Sequence, residues 1–226
     1  MNGYFNTTPP VVKNLIIVNA LMYLAMLFGE SFMIGNFALY YPGSPNFKVL
    51  QLLTHMFMHG DFFHLFFNMY ALWLFGSIIE RVWGGKKFLT YYFITGFGAV
   101  GLHLLLQWLN VKYITDVEFA NISEIARKLA QIYHTPTLGA SGAVYGVLLA
   151  FGMMYPNVEL QLIFPPIRLK ALRLVIIFGA IELIVGLLHA NDGIAHFAHL
   201  GGMLFGYVSV MYWKRRGTLF RNDDYY

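Results

Sequence analysis

The stretch Gly139-Ala140-Ser141-Gly142-Ala143-Val144-Tyr145-Gly146 sets a serine between small residues, just after Pro136 and at the head of an apolar run. Such a position reads as a helix start that another backbone can approach closely. Unpaired N–H groups and the dipole at a helix N-terminus favour negative charge, so an oxyanion formed by attack of Ser141 would be stabilised there. Small residues spaced like Gly142 and Gly146 serve tight helix packing equally well. Both readings stand for this stretch alone. With no cysteine in the chain, serine, histidine and carboxylates must carry any chemistry. The other polar candidates are Asp61-Phe62-Phe63-His64-Leu65-Phe66-Phe67-Asn68 and Ala195-His196-Phe197-Ala198-His199-Leu200-Gly201-Gly202. In the first, Asp61 can cap a helix, while His64 and Asn68 share a face at i and i+4. In the second, His199, Gly202 and Gly206 line one face at i, i+3 and i+7.

The elements that must position these groups are membrane helices. The 226 residues are 58% hydrophobic and 12% charged, with mean hydropathy +0.58, a composition of an integral membrane protein. The net charge of +4 invites a nucleic-acid reading, but the basic residues fall between apolar spans and do not form one patch. Spans are predicted at about 12–29, 62–79, 88–109, 138–155, 172–189 and 194–213, the first uncleaved. Of the fifteen lysines and arginines, only Lys48, Lys112, Arg127 and Lys128 fall on one side of this arrangement. The positive-inside rule then places both termini in the cytoplasm and loops 33–61, 110–137 and 190–193 outside. The apolar, aromatic run from Phe47 to Met58 is too hydrophobic for a solvated loop and is expected to lie in the membrane interface or dip into the bilayer. Residues 122–132 carry an amphipathic pattern with Glu124 and Lys128 at i,i+4, read either as a surface helix or as a solvated insertion.

This topology puts Ser141, His64, Asn68 and His199 at the outer ends of their spans, with Tyr145 one turn deeper than Ser141. Polar groups at bilayer depth are costly unless they face a cavity or each other, so their convergence is a functional signal. A histidine beside a serine can take the hydroxyl proton during attack on a carbonyl and return it to the leaving amine. His64, Asn68 and the backbone N–H groups of Ser141 and Ala140 would then be available to an oxyanion.

The ordered set of His59, His64-x-x-x-Asn68, Gly139-x-Ser141-Gly142 with Tyr145, and Ala198-His199-x-x-Gly202-x-x-x-Gly206 resembles the rhomboid intramembrane serine proteases, of bacterial type. The resemblance runs from the loop after the first span through the sixth. It implies an all-α six-transmembrane-helix bundle of rhomboid type with a membrane-associated first outer loop. The short N-terminus 1–11 and the tail 214–226 flank a membrane domain 12–213. The implied activity is cleavage of a peptide bond in or near the transmembrane segment of another protein by a Ser141/His199 dyad without a third carboxylate. Carried over, His64 and Asn68 serve the oxyanion, Tyr145 packs beside His199, and Gly202 and Gly206 give close contact of helices four and six. His199 and not His196 matches the base, because only His199 has both glycines at the right offsets. Leu50-Gln51 stands where many bacterial members have Trp-Arg, and the segment between helices three and four is longer than in compact members. The expected location is a bacterial inner membrane, the expected partners are transmembrane substrates and membrane lipid, and no nucleic acid, metal or cofactor is implied.

Three other classes are weaker. A metal enzyme would use His55/His59 or His196/His199, but no His-Glu-x-x-His sequence exists. A catalytically inactive client-binding or quality-control protein of the same fold is the alternative reading, opposed by the presence of both Ser141 and His199. A channel or transporter lacks support from an inverted repeat or a ring of pore charges. Glu182, the one carboxylate in the fifth span, is read as a protonated structural hydrogen-bond partner ahead of a site residue; the sequence does not name its partner.

Overall fold

The computed structural model describes residues 7–116, 122–161, 166–188 and 195–220. The expected 190–193 connection, the ends of the fifth and sixth spans that border it, and residues 221–226 lie outside them. Helix α1 (Pro10–Phe28) begins on a proline, whose missing N–H would be unpaired in a first turn anyway. The Glu80 carboxylate accepts the next two orphan donors, Val11 N–H at 2.9 Å and Val12 N–H at 2.7 Å. Helix α2 (Glu30–Phe37) follows at once, and α3 (Gln51–Thr54) leads into a 3₁₀ turn, His55–Phe57. Helix α4 (Phe62–Ala71) continues through a π-helical turn, Leu72–Gly76, into α5 (Ser77–Trp83). As expected, Asp61 caps α4, its Oδ1 accepting His64 N–H at 2.8 Å. At Gly84, φ is +78°, a left-handed conformation suited to glycine, and the chain reverses into α6 (Gly85–Asp116).

Helix α7 (Ile122–His134) is amphipathic with no buried residue, and Glu124 pairs with Lys128 at 3.0 Å. Helix α8 (Ser141–Met154) is followed by a short antiparallel hairpin, β1 (Glu159–Gln161) with β2 (Arg168–Lys170), in the register Glu159 to Lys170. Helices α9 (Ala171–Leu188) and α10 (His196–Arg215) complete the described chain. The centre is α6, α8 and α10, around fully buried Phe88, Tyr91, Tyr92 and Val147. The Tyr91 hydroxyl donates to the Gly146 carbonyl at 2.7 Å, joining α6 to α8.

Among the described residues, four helical segments are long and apolar enough to cross a membrane: Pro10–Phe28, Phe62–Trp83, Gly85–Asp116 and Ala171–Leu188. Helix α8 is apolar but only 14 residues long. It starts three residues later than expected because residues 135–139 are not helical. There, Leu39 and Thr137 exchange two backbone hydrogen bonds of 2.8 and 2.7 Å, and Gly139 has φ +132°. The third span is longer than expected, since nothing between Asn110 and Asp116 breaks a helix.

Within the 47–58 run, Val49 and Leu50 are exposed, whereas Met56 and Met58 are buried in the protein interior. Gln51 is fully buried and holds the loop, its Oε1 accepting Lys48 N–H at 3.0 Å and its Nε2 donating to the Asn46 carbonyl at 3.0 Å.

Candidate active site

Ser141 is the first residue of α8, with Ala140 fully buried before it. Gly139 N–H donates to the His55 carbonyl at 3.0 Å, fixing the approach to the serine. The positive φ of Gly139 is one reason for glycine there. The other is space, because a Cβ would stand 2.9 Å from His64 Nε2 and 3.5 Å from Ser141 Oγ. Gly139 therefore leaves room for the His64 ring on the side of the turn that carries Ser141.

From α10, His199 brings Nε2 to 2.7 Å from Ser141 Oγ. Its ring lies parallel to that of Tyr145, with centroids 4.4 Å apart and planes 2° from parallel. Gly202 makes this approach possible: a Cβ there would fall 1.9 Å from the Gly142 carbonyl oxygen, so α10 and α8 touch through backbone. Gly206 sits 3.4 Å, measured from its notional Cβ, from Gly146 Cα. Gly142 and Gly146 themselves open toward α6, where added Cβ atoms would meet Ala99 and Thr95 at 2.5 Å.

His64 and Asn68 occupy the adjacent wall. Asn68 is buried, and its Nδ2 donates to the His64 carbonyl at 2.9 Å, leaving that amide NH₂ one further hydrogen. Behind His64 lies His59, fully buried, its ring edge-on with centroids 5.0 Å apart. Burial pushes the His59 imidazole down to about 3 and that of His55 down to about 4, so both rings are neutral at ordinary pH. A cavity of about 20 Å³ borders Ser141, lined by His55, His103, Thr137 and Gly139, with room for one water.

The geometry has a family counterpart. Residues 46–216 match the model of the rhomboid domain. The chain belongs to the rhomboid family. It is 31% identical over 191 residues to the human presenilin-associated rhomboid-like protein, mitochondrial, covering 80% of this chain and 44% of that one. It is 29% identical over 207 residues to RHOMBOID-like protein 12, mitochondrial, of Arabidopsis thaliana, covering 91% of this chain and 58% of the relative. Rhomboid protein 1, mitochondrial, of Saccharomyces cerevisiae is 30% identical over 118 residues, covering 51% of this chain and 28% of that one. This chain thus spans about half the length of these relatives or less. Their names overturn the expected bacterial type and bacterial inner membrane, and with that membrane the cytoplasmic assignment of the termini. The rhomboid chain is a membrane protein by family and by its apolar helices.

Glu182, read from the sequence as a structural hydrogen-bond partner without a named partner, lies against this site. The Tyr145 hydroxyl donates to its Oε1, and its Oε2 lies 2.6 Å from His196 Nδ1 and 3.0 Å from His199 Nδ1. The His199 contact is at ion-pair distance but off the line of a well-formed hydrogen bond. The expected role of hydrogen-bond partner thus has its partners, Tyr145 and His196. The signal in the sequence was its solitary carboxylate within an apolar span. Ligand atoms of Glu182, His196 and His199 all lie within 4.8 Å of one another, close enough to share an ion. The 2.6 and 3.0 Å separations are hydrogen-bond distances, shorter than the roughly 3.3 Å between ligands of a tetrahedral zinc with bonds near 2.0 Å.

Proposed function

We propose that this rhomboid is an intramembrane serine endopeptidase that cleaves membrane-spanning segments of other proteins with Ser141 as nucleophile and His199 as base. The observation that carries the reading is the 2.7 Å separation of Ser141 Oγ from His199 Nε2 at the start of an apolar helix. The rhomboid family includes intramembrane serine proteases, which supports it further.

In this mechanism Ser141 Oγ bonds to the scissile carbonyl carbon while its proton passes to His199 Nε2. The carbonyl oxygen takes the negative charge, received by the Ser141 and Ala140 backbone N–H groups, His64 and the remaining Asn68 amide hydrogen. Collapse breaks the C–N bond, and His199 gives its proton to the departing amine. Water then attacks the acyl-serine, losing a proton to His199, and the carboxyl product leaves as Oγ recovers that proton. Tyr145 holds the His199 ring by stacking, and Gly139, Gly142, Gly202 and Gly206 set the backbone separations.

The architecture proposed is a six-helix membrane domain over 12–213, with α8 and α10 supplying the fourth and sixth crossings, flanked by 1–11 and 214–226. Substrates are proposed to be transmembrane proteins met within the lipid. By likeness to the relatives, the membrane is a mitochondrial one. A tagged fluorophosphonate tests the reading in protein solubilised in mild detergent and again in lipid vesicles. Labelling of the parent and loss of labelling in Ser141→Ala is the expected result. An unlabelled, folded parent in both media would replace the protease with the client-binding alternative.

A further inference from the structure

Among the described residues, Glu182 on α9 is buried, 7% exposed, and the groups facing it from the helices packed around it are Tyr145 of α8 and His196 and His199 of α10. These groups are all donors or can be. An apolar helix that spent a buried carboxylate only on packing would need no alignment with chemistry. Here the same oxygen that meets His196 also meets the Nδ1 of the ring whose Nε2 faces the serine.

We infer that Glu182 is a positioning residue completing a Ser141–His199–Glu182 triad, its ionised carboxylate keeping the proton of His199 on Nδ1 so that Nε2 is bare toward Ser141. The inference rests on the protease reading for its catalytic consequence, and it departs from the two-residue arrangement expected from the sequence. Tyr145 and His196 anchor the carboxylate, Tyr145 on Oε1 and His196 on Oε2, and hold Oε2 within 3.0 Å of His199 Nδ1. Tyr145 thus acts twice, by stacking on the His199 ring and by fixing the acid behind it. No additional proton moves: His199 is neutral before attack, cationic in the tetrahedral intermediate and neutral again after the amine departs, while Glu182 stays an anion throughout. The anion favours the cationic ring, and the intermediate is where that matters.

Glu182→Gln is the discriminating variant. Its amide can donate to Nδ1, which moves the ring proton to Nε2 and blocks acceptance from Ser141. An equivalent change in a known triad lowers turnover about 10⁴-fold; since this carboxylate is shared with His196, a fall of about 10²–10⁴ in fluorophosphonate labelling rate is expected. The acid-side half-point of the labelling rate should also move to lower pH, because the protonated ring has lost its anion. Glu182→Asp, which keeps the charge, should recover a measurable part of the rate.

Histidine ¹⁵N resonances of the full chain in lipid give a readout independent of turnover. Nδ1–H on His199 is expected in the parent, with a shift toward Nε2–H in Glu182→Gln. If Glu182→Gln does not fold, the Asp variant and the parent spectrum decide alone: Nε2–H on His199 in the parent would overturn the proposal. Unchanged labelling, acid half-point and tautomer in folded Glu182→Gln would overturn it as well. An unlabelled parent whose His199 tautomer still depends on Glu182 would sink the protease reading and leave the positioning role standing.

Discussion

At the scale of single residues, the site turns on Gly139. Alanine there would carry a Cβ at φ +132°, a strained conformation worth about 1–3 kcal/mol, and would press on His64 Nε2 at 2.9 Å. Gly139→Ala is therefore expected to lower the fluorophosphonate labelling rate about 10²-fold, the scale of loss from roughly 1 Å of misplacement, while the protein still folds; labelling at the parent rate would show that His64 need not lie where it does. Ser141, His199, His64, Asn68 and Tyr145 were all legible as candidates because each is a polar or small-neighboured residue at a fixed offset in an apolar helix. Glu182 was visible only as an anomaly. A lone carboxylate in a span announces that it needs a partner, but the partner lies on other helices, and nothing in the local spacing around Glu182 selects Tyr145 and His196.

At the scale of elements, the contact of α8 with α10 is made by removing side chains. Gly202→Ala would set a Cβ 1.9 Å from the Gly142 carbonyl oxygen, and backbone cannot swing aside as a flexible side chain can. The helices would have to part, at a cost of about 1–3 kcal/mol or more, so a lower melting temperature and loss of labelling are expected together. Gly101→Ala on α6, where nothing lies within 4 Å of the new Cβ, serves as the control and should melt no lower than the parent. Equal melting of Gly202→Ala and Gly101→Ala would show that the close approach is dispensable. The small-residue faces were readable from the sequence, but their neighbours only in part. The backbones of Gly142 and Gly146 do meet Gly202 and Gly206 of α10, but the sides left open by their missing Cβ atoms face Ala99 and Thr95 of α6, because i,i+4 spacing defines a face without defining everything that packs on it. The start of α8 at Ser141 likewise depended on a long-range pairing of Leu39 with Thr137 that no local pattern encodes.

At the scale of the molecule, two neutral buried histidines in the first connection tie stability to pH. His55 titrates near 4 and His59 near 3 in the folded chain, both lowered chiefly by burial, against about 6.5 when unfolded. The unfolded chain then binds more protons between these values, so this stability is fully present above about pH 6.5 and declines as pH falls toward 4 and 3, by about 1.4 kcal/mol per unit for each ring. Melting of the detergent-solubilised chain should drop from pH 7.5 to 5.5, and His59→Phe should reduce that drop; an undiminished drop would exonerate His59. The membrane character of the whole chain was legible from composition, because apolar spans and interspersed basic residues are local properties. The small hairpin and the π-helical turn were not, since both depend on backbone pairing. That turn, Leu72–Gly76, has a consequence of its own. A π turn holds one residue more than an α turn needs, so the span from Phe62 to Trp83 carries a spare residue between the half bearing His64 and Asn68 and the half whose Glu80 caps α1. In an uninterrupted helix, losing one residue would swing one half about 100° around the axis relative to the other. Here the bulge can relax to ordinary helix and absorb the loss with both halves still in phase, so a single-codon deletion within this turn should be tolerated.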